Sequence, residues 1–139
     1  MYSQFNELAK TFLTKMALTF PNEKKVIDYK YEFDTLTNFI RMKIVTEDKP
    51  VKMFMENIHP FGEKILGRDE MFFKKDEFVN NAESISGKMG LIEYWDKMTP
   101  EIQGEIWNYI QGLYMLGMAS LGLHTELQEM IIKTGYNVD

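Results

Sequence analysis

The sequence predicts an all-α protein: a single-domain bundle of five to six helices, spanning 1–139 and built around a central apolar helix at 99–120. Three observations predict it. Apolar residues recur at helical spacing through most of the chain. No stretch of useful length alternates as a half-buried strand would. Residues 106–123 carry no charge at all, so this run must be buried in a core, a partner or a membrane. Size and balance agree: 139 residues suit one domain, and 45% hydrophobic with 27% charged residues is a globular composition.

The elements follow in order. Phe5, Leu8, Ala9, Phe12, Leu13, Met16 and Phe20 mark the first amphipathic helix, with Ser3 as its expected N-cap and Pro21 as its stop. Asn22 is placed to cap a second helix, whose apolar stripe is Val26, Tyr29, Phe33, Leu36, Phe39 and Ile40. Ile44 and Val45 either extend that helix or form a short extended stretch. Pro50 opens a third helix, since a first-turn proline lacks only an N–H that would be unpaired anyway. Its stripe is Val51, Phe54, Ile58, Phe61 and Ile65. Pro60 interrupts it, removing one hydrogen bond and clashing with the carbonyl of Glu56, so the chain should bend near His59 with Phe61 still turned inward.

Residues 67–88 are the least regular. Asp69 can cap a single helical turn pinned by Phe72 and Phe73, and 76–88 reads as a mobile polar loop with rapid amide exchange. Leu91, Ile92, Trp95 and Met98 suggest a short helix. Thr99-Pro100-Glu101 is the clearest start signal: a capping hydroxyl, a proline in the first position and an acid at the positive end of the helix dipole. Gly122 closes that helix, Gly135 closes a last one beginning at His124, and 136–139 is a tail. The predicted core is Phe12, Phe33, Phe54, Trp107, Ile110 and Leu113, with Tyr114 at least partly buried.

The chain carries few signs of chemistry. There is no cysteine, which excludes disulfides and thiol nucleophiles and fits a reducing, intracellular compartment. The N-terminus has no basic region followed by an apolar core, so no signal peptide is expected. The uncharged run approaches the roughly 20 residues of a membrane span. It contains Asn108, Gln111, Ser120 and three glycines and lacks flanking basic clusters, so a bundle interior is the better reading. His59 and His124 are the only histidines, too few for a zinc site even with Glu126 and Glu129 near His124. His59 is expected to pack or cap at the bend. The acidic pairs Asp69-Glu70 and Asp76-Glu77 do not follow a calcium-loop pattern and serve as well for capping and solvation. No nucleophile elbow, phosphate loop or dinucleotide turn occurs. Neither metal nor cofactor is expected. The net charge of −5 opposes binding to phosphate backbones. Eleven methionines suit either an adaptable binding face or gap-filling in a core, and most lie on or beside the apolar stripes.

The order of several short motifs resembles a family. Phe20-Pro21-Asn22 follows the first helix, and Lys49-Pro50 precedes Phe54-Met55-Glu56. His59-Pro60-Phe61 leads into Ile65-Leu66-Gly67-Arg68-Asp69-Glu70-Met71-Phe72-Phe73, and later come Trp95 and Ile106-Trp107-Asn108-Tyr109-Ile110-Gln111-Gly112-Leu113. This order resembles small helical proteins encoded by large double-stranded DNA viruses of algae and protists. The motifs are packing and capping motifs, so the resemblance brings over no catalytic residue. It implies a viral protein acting in an infected eukaryotic cell or packaged in the virion.

The function expected from these readings is a non-enzymatic helical protein-interaction module, a viral structural protein or a binder of a viral or host partner. The alternative is a nucleic-acid-associated or regulatory factor of viral genome expression. The apolar residues Leu121, Leu123, Leu127, Met130 and Ile131 are the expected interface, for a homodimer or a different partner.

Overall fold

The computed structural model describes residues 2–73 and 89–136. The predicted mobile loop 76–88, with Asp76 and Glu77, and the tail beyond Tyr136 lie outside these. Helix α1 spans Tyr2–Thr19, α2 Lys24–Arg41 and α3 Lys49–Ile58. A 3₁₀ turn at His59–Phe61 leads to the short α4, Gly62–Leu66, and another 3₁₀ turn covers Glu70–Phe73. The single turn α5, Leu91–Tyr94, runs into a 3₁₀ turn at Trp95–Lys97. Helix α6 is Pro100–Ser120 and α7 is His124–Thr134. Five helices have ten residues or more, and no strand occurs among the described residues. The chain is an all-α bundle.

Helix α6 is the axis. It packs against α1, α3, α4 and α7, while α2 rests chiefly on α1. The start signal behaves as read: the Thr99 hydroxyl accepts from the Ile102 amide at 3.3 Å, and Pro100 occupies the first turn. Trp107, Ile110, Leu113 and Tyr114 are buried, as are Phe12 and Phe54. The bend at Pro60 is also present: α3 stops at Ile58, the 3₁₀ turn intervenes, and α4 resumes at Gly62. The bend lets Ile65 and Phe72 reach full burial against the body. Phe72 and Phe73 join Trp95 and Trp107 in an aromatic cluster. Phe73 stacks on Trp95 at 3.8 Å between ring centres and meets Trp107 edge-on at 4.7 Å.

Four expectations are corrected. Helix α1 is already formed at Tyr2, so Ser3 lies inside it and cannot cap it. Glu23, not Asn22, occupies the cap position of α2, with extended backbone and no capping bond from its side chain. Phe33 is only half-buried, because α2 rests chiefly on α1 and no other described helix packs extensively over its other flank. Ile44 and Val45 form neither helix nor strand; they sit in the turn after α2.

Three helices end in the same double-bonded left-handed turn. After α6, Gly122 at φ +77° donates to Ala119 O at 3.1 Å while Leu123 donates to Met118 O at 2.9 Å. After α2, Lys43 at φ +62° donates to Ile40 O at 3.0 Å and Ile44 to Phe39 O at 2.9 Å. After α4, Arg68 at φ +50° donates to Ile65 O at 3.2 Å and Asp69 to Lys64 O at 2.8 Å. Glycine is the usual residue at this position. The two basic residues adopt it against the steric cost of a Cβ, helped by placing positive charge at the negative end of a helix.

Candidate binding groove

The amphipathic stripe of α2 faces α1, but α2 and α3 do not close on each other over it. An apolar groove of about 110 Å³ remains between them. Phe5, Ala9, Phe12 and Leu13 of α1 and Leu113 of α6 form its floor. Tyr29, Phe33 and Leu36 make one wall, and Pro50, Met53 and Phe54 the other. The floor is firm: Phe5 meets Phe54 edge-on at 5.3 Å, and Phe12 lies 5.2 Å from Tyr109. Two polar side chains, Glu32 on α2 and Asn57 on α3, stand at the rim.

The size bounds what the groove takes. An engineered cavity of about 150 Å³ holds a benzene ring, so this one suits a large apolar side chain. Its polar groups are few and convergent, the pattern of a recognition site. Burial, and then the neighbouring carboxylate of Glu32, push the Tyr29 phenol up to about 12, so at neutral pH it is a hydroxyl that can donate a hydrogen bond. Glu32 is exposed and has no cationic partner among the described residues, leaving its carboxylate open to a cation from outside. The groove therefore offers hydrophobic contact, one hydroxyl donor, one amide and one negative charge.

The C-terminal residues expected as the interface sit differently. Leu121, Leu123, Leu127, Met130 and Ile131 are half-buried and pack on the chain's own core. Helix α7 folds back over α4 and α6, and Lys133 pairs with Glu63 at 2.8 Å to hold it there. Leu121 and Leu123 also line a shallow open depression with Met55 and His59. Ile132, on the outer side of α7, is 81% exposed.

His59 does pack at the bend. Its Nδ1 lies 3.3 Å from the Tyr114 hydroxyl, which also reaches Met130 Sδ at 3.3 Å. His124 is exposed at the start of α7, and Asp69 and Glu70 are exposed after α4. No group of three acidic or histidine side chains able to hold a metal ion is found among the described residues. No helix among them is long and apolar enough to cross a membrane.

One polar network was not foreseen. Gln111, 1% exposed in the middle of the uncharged run, donates to Ile65 O at 3.1 Å and Leu66 O at 3.2 Å, carbonyls in the last turn of α4. Its own oxygen accepts from Arg68 Nε at 3.1 Å, and Arg68 also donates to Asn108 Oδ1. The signal was available: an amide inside a run that must be buried needs partners, and the nearest unpaired backbone groups are at a helix end. Compared with known protein families, curated proteins and solved structures, the chain matches none of them.

Proposed function

We propose that this protein is a non-enzymatic helical interaction module whose binding surface is the groove between α2 and α3. The observation that carries this is the incomplete closure of α2: an apolar stripe that a monomer would bury is left half-open, with Glu32 and Asn57 at its edge. Grooves of this kind take the apolar face of a helix or turn, anchored by one or two side chains. The resemblance to helical proteins of large DNA viruses would set the module in an infected cell or a virion, and that placement rests on the resemblance alone.

A photo-crosslinking residue at Met53, on the groove wall, tests the reading. It should yield a discrete crosslinked product in cells that make the protein, and Leu36→Glu should abolish it. The same group at Ile132, remote from the groove, should not give that product. Equal yields from both positions, or products indifferent to Leu36→Glu, would count against a groove-based module.

A further inference from the structure

We infer that the groove's occupant is a second copy of this chain, joined across a two-fold axis with the α2 helices antiparallel. The turn at Met42-Lys43-Ile44 of each copy then seats at the mouth of the other's groove. This rests on the groove reading above and names its partner.

Exposed apolar surface points to this face. Eight large hydrophobic side chains are exposed among the described residues, and six of them belong to α2, its closing turn and α3: Ile27, Tyr31, Phe39, Met42, Ile44 and Met53. Met42 is 58% and Ile44 64% exposed, on either side of Lys43. No described residue of their own chain buries them. They lie on a turn whose left-handed geometry, fixed by two backbone hydrogen bonds, projects them from the end of the helix.

The sequence of this segment is self-complementary in the sense a two-fold contact needs. Reflected about the bond between Thr37 and Asn38, the groove-side residues of α2 find counterparts: Glu32 falls opposite Lys43, Phe33 opposite Met42 and Leu36 opposite Phe39, whereas Tyr31 and Asp34 lie on other faces of the helix. On that face two apolar pairs accompany one acid–base pair. In an isologous pair each such contact occurs twice. Glu32 and Lys43 are the groups left for it, since neither has an ionic partner among the described residues, whereas Asp34 already pairs with Lys30 at 2.6 Å. Arg41 is held by the neutral Asn38 side chain at 2.9 Å and keeps its charge unmatched. Parallel packing of the two helices would put like charges together, which costs specificity for that arrangement.

The test is the mass of the full chain in solution, by sedimentation equilibrium, with circular dichroism to confirm that each variant is folded. The wild type should approach twice 16.4 kDa as concentration rises. Glu32→Lys alone sets two lysines against each other and should be monomeric at concentrations where the wild type is dimeric. Lys43→Glu alone sets two carboxylates together and should also be monomeric. An equal mixture of the two variants should dimerise again, because each of its two ionic contacts then joins a lysine to a glutamate. A wild type that stays monomeric throughout overturns the inference. So does a dimer indifferent to both charge reversals, or one that mixing fails to restore. A Met53 crosslink to a protein of different mass, with a monomeric wild type, would keep the groove reading and remove the second copy from it.

Discussion

Helices α6 and α2 both present apolar stripes, yet the fold treats them in opposite ways. Helix α6 is packed by α1, α3, α4 and α7, and eight of its residues are buried. Helix α2 is nearly as long, at 18 residues against 21, but Val26 alone is buried. Periodicity in a sequence tells which face avoids water. It does not tell whether the cover comes from the same chain. Charge comes closer to telling: 106–123 has none, whereas α2 alternates charged and apolar residues and so tolerates an open flank.

The largest consequence is a difference in the cost of truncation. Trp107→Ala should cost about 3–5 kcal/mol, the range for removing a large aromatic from a packed core. The tryptophan meets Phe73 and Trp95 edge-on, and no neighbour can collapse into the gap without breaking those contacts. Phe33→Ala should cost only about 1 kcal/mol under dilute conditions, because much of that ring is already in water. Urea melts of both variants decide it. Equal losses would mean that α2 is covered as completely as α6.

Glycines on and against the axial helix sharpen the same contrast. A Cβ at Gly62 would lie 2.1 Å from the Tyr114 hydroxyl oxygen and 2.7 Å from the ring carbon bearing it. A buried ring cannot step aside, so Gly62→Ala should destabilise by about 1–3 kcal/mol, as overpacking does. A Cβ at Gly104 meets no described residue within 4 Å. Gly104→Ala should stabilise by about 1 kcal/mol, the helix-propensity difference between the two residues. Thermal melts in which Gly62→Ala gained stability as Gly104→Ala does would show that α4 does not pack closely on Tyr114.

What the sequence made legible follows from where the signals are local. The start at Thr99, the break at Pro60 and the closures at Gly122 and Gly135 each depend on a residue with unusual backbone chemistry, and each is where it was read. The closures at Lys43 and Arg68 were invisible, since nothing about a lysine or arginine announces a left-handed backbone. The groove was invisible for a different reason: it is incomplete packing between α2 and α3, and packing between helices is not encoded at any one position. The packing of the C-terminal patch was illegible in the same way. Leu127 and Ile131 form a stripe whether α7 meets a partner or folds back on α4, and the structure shows them packed on the chain's own core.

The two unforeseen closures give the next test. Within its own chain Lys43 is exposed and makes no side-chain bond among the described residues, so at dilutions where the chain is monomeric Lys43→Gly should remove only the left-handed strain and gain about 1 kcal/mol. Arg68→Gly relieves the same strain but deprives the buried Gln111 oxygen of its donor, and a buried unsatisfied group costs about 1–3 kcal/mol. The second variant should therefore show no gain or a net loss. A matching gain in both would mean that the Arg68–Gln111 contact contributes nothing to folding.

The smallest effect at neutral pH is also the most specific, and it compares one tyrosine from each region. Burial first, then a neighbouring carboxylate or two, raise Tyr29 in the groove and Tyr114 beneath α7 each to about 12 from an ordinary value of 10.0. A raised phenol favours the folded state fully below its unfolded value, where both states hold the proton. Between pH 10 and 12 the unfolded chain releases that proton and the folded chain retains it, so stability falls as pH rises through this window. Tyr29→Phe and Tyr114→Phe should each flatten that alkaline decline. Following tyrosinate absorbance in the folded protein should show both groups ionising late. If two copies pair over the groove, Tyr29 becomes better shielded and Tyr114 does not. Its ionisation should then move higher with protein concentration while Tyr114 stays in place, and a Tyr29 titration independent of concentration would place the phenol away from any contact between copies.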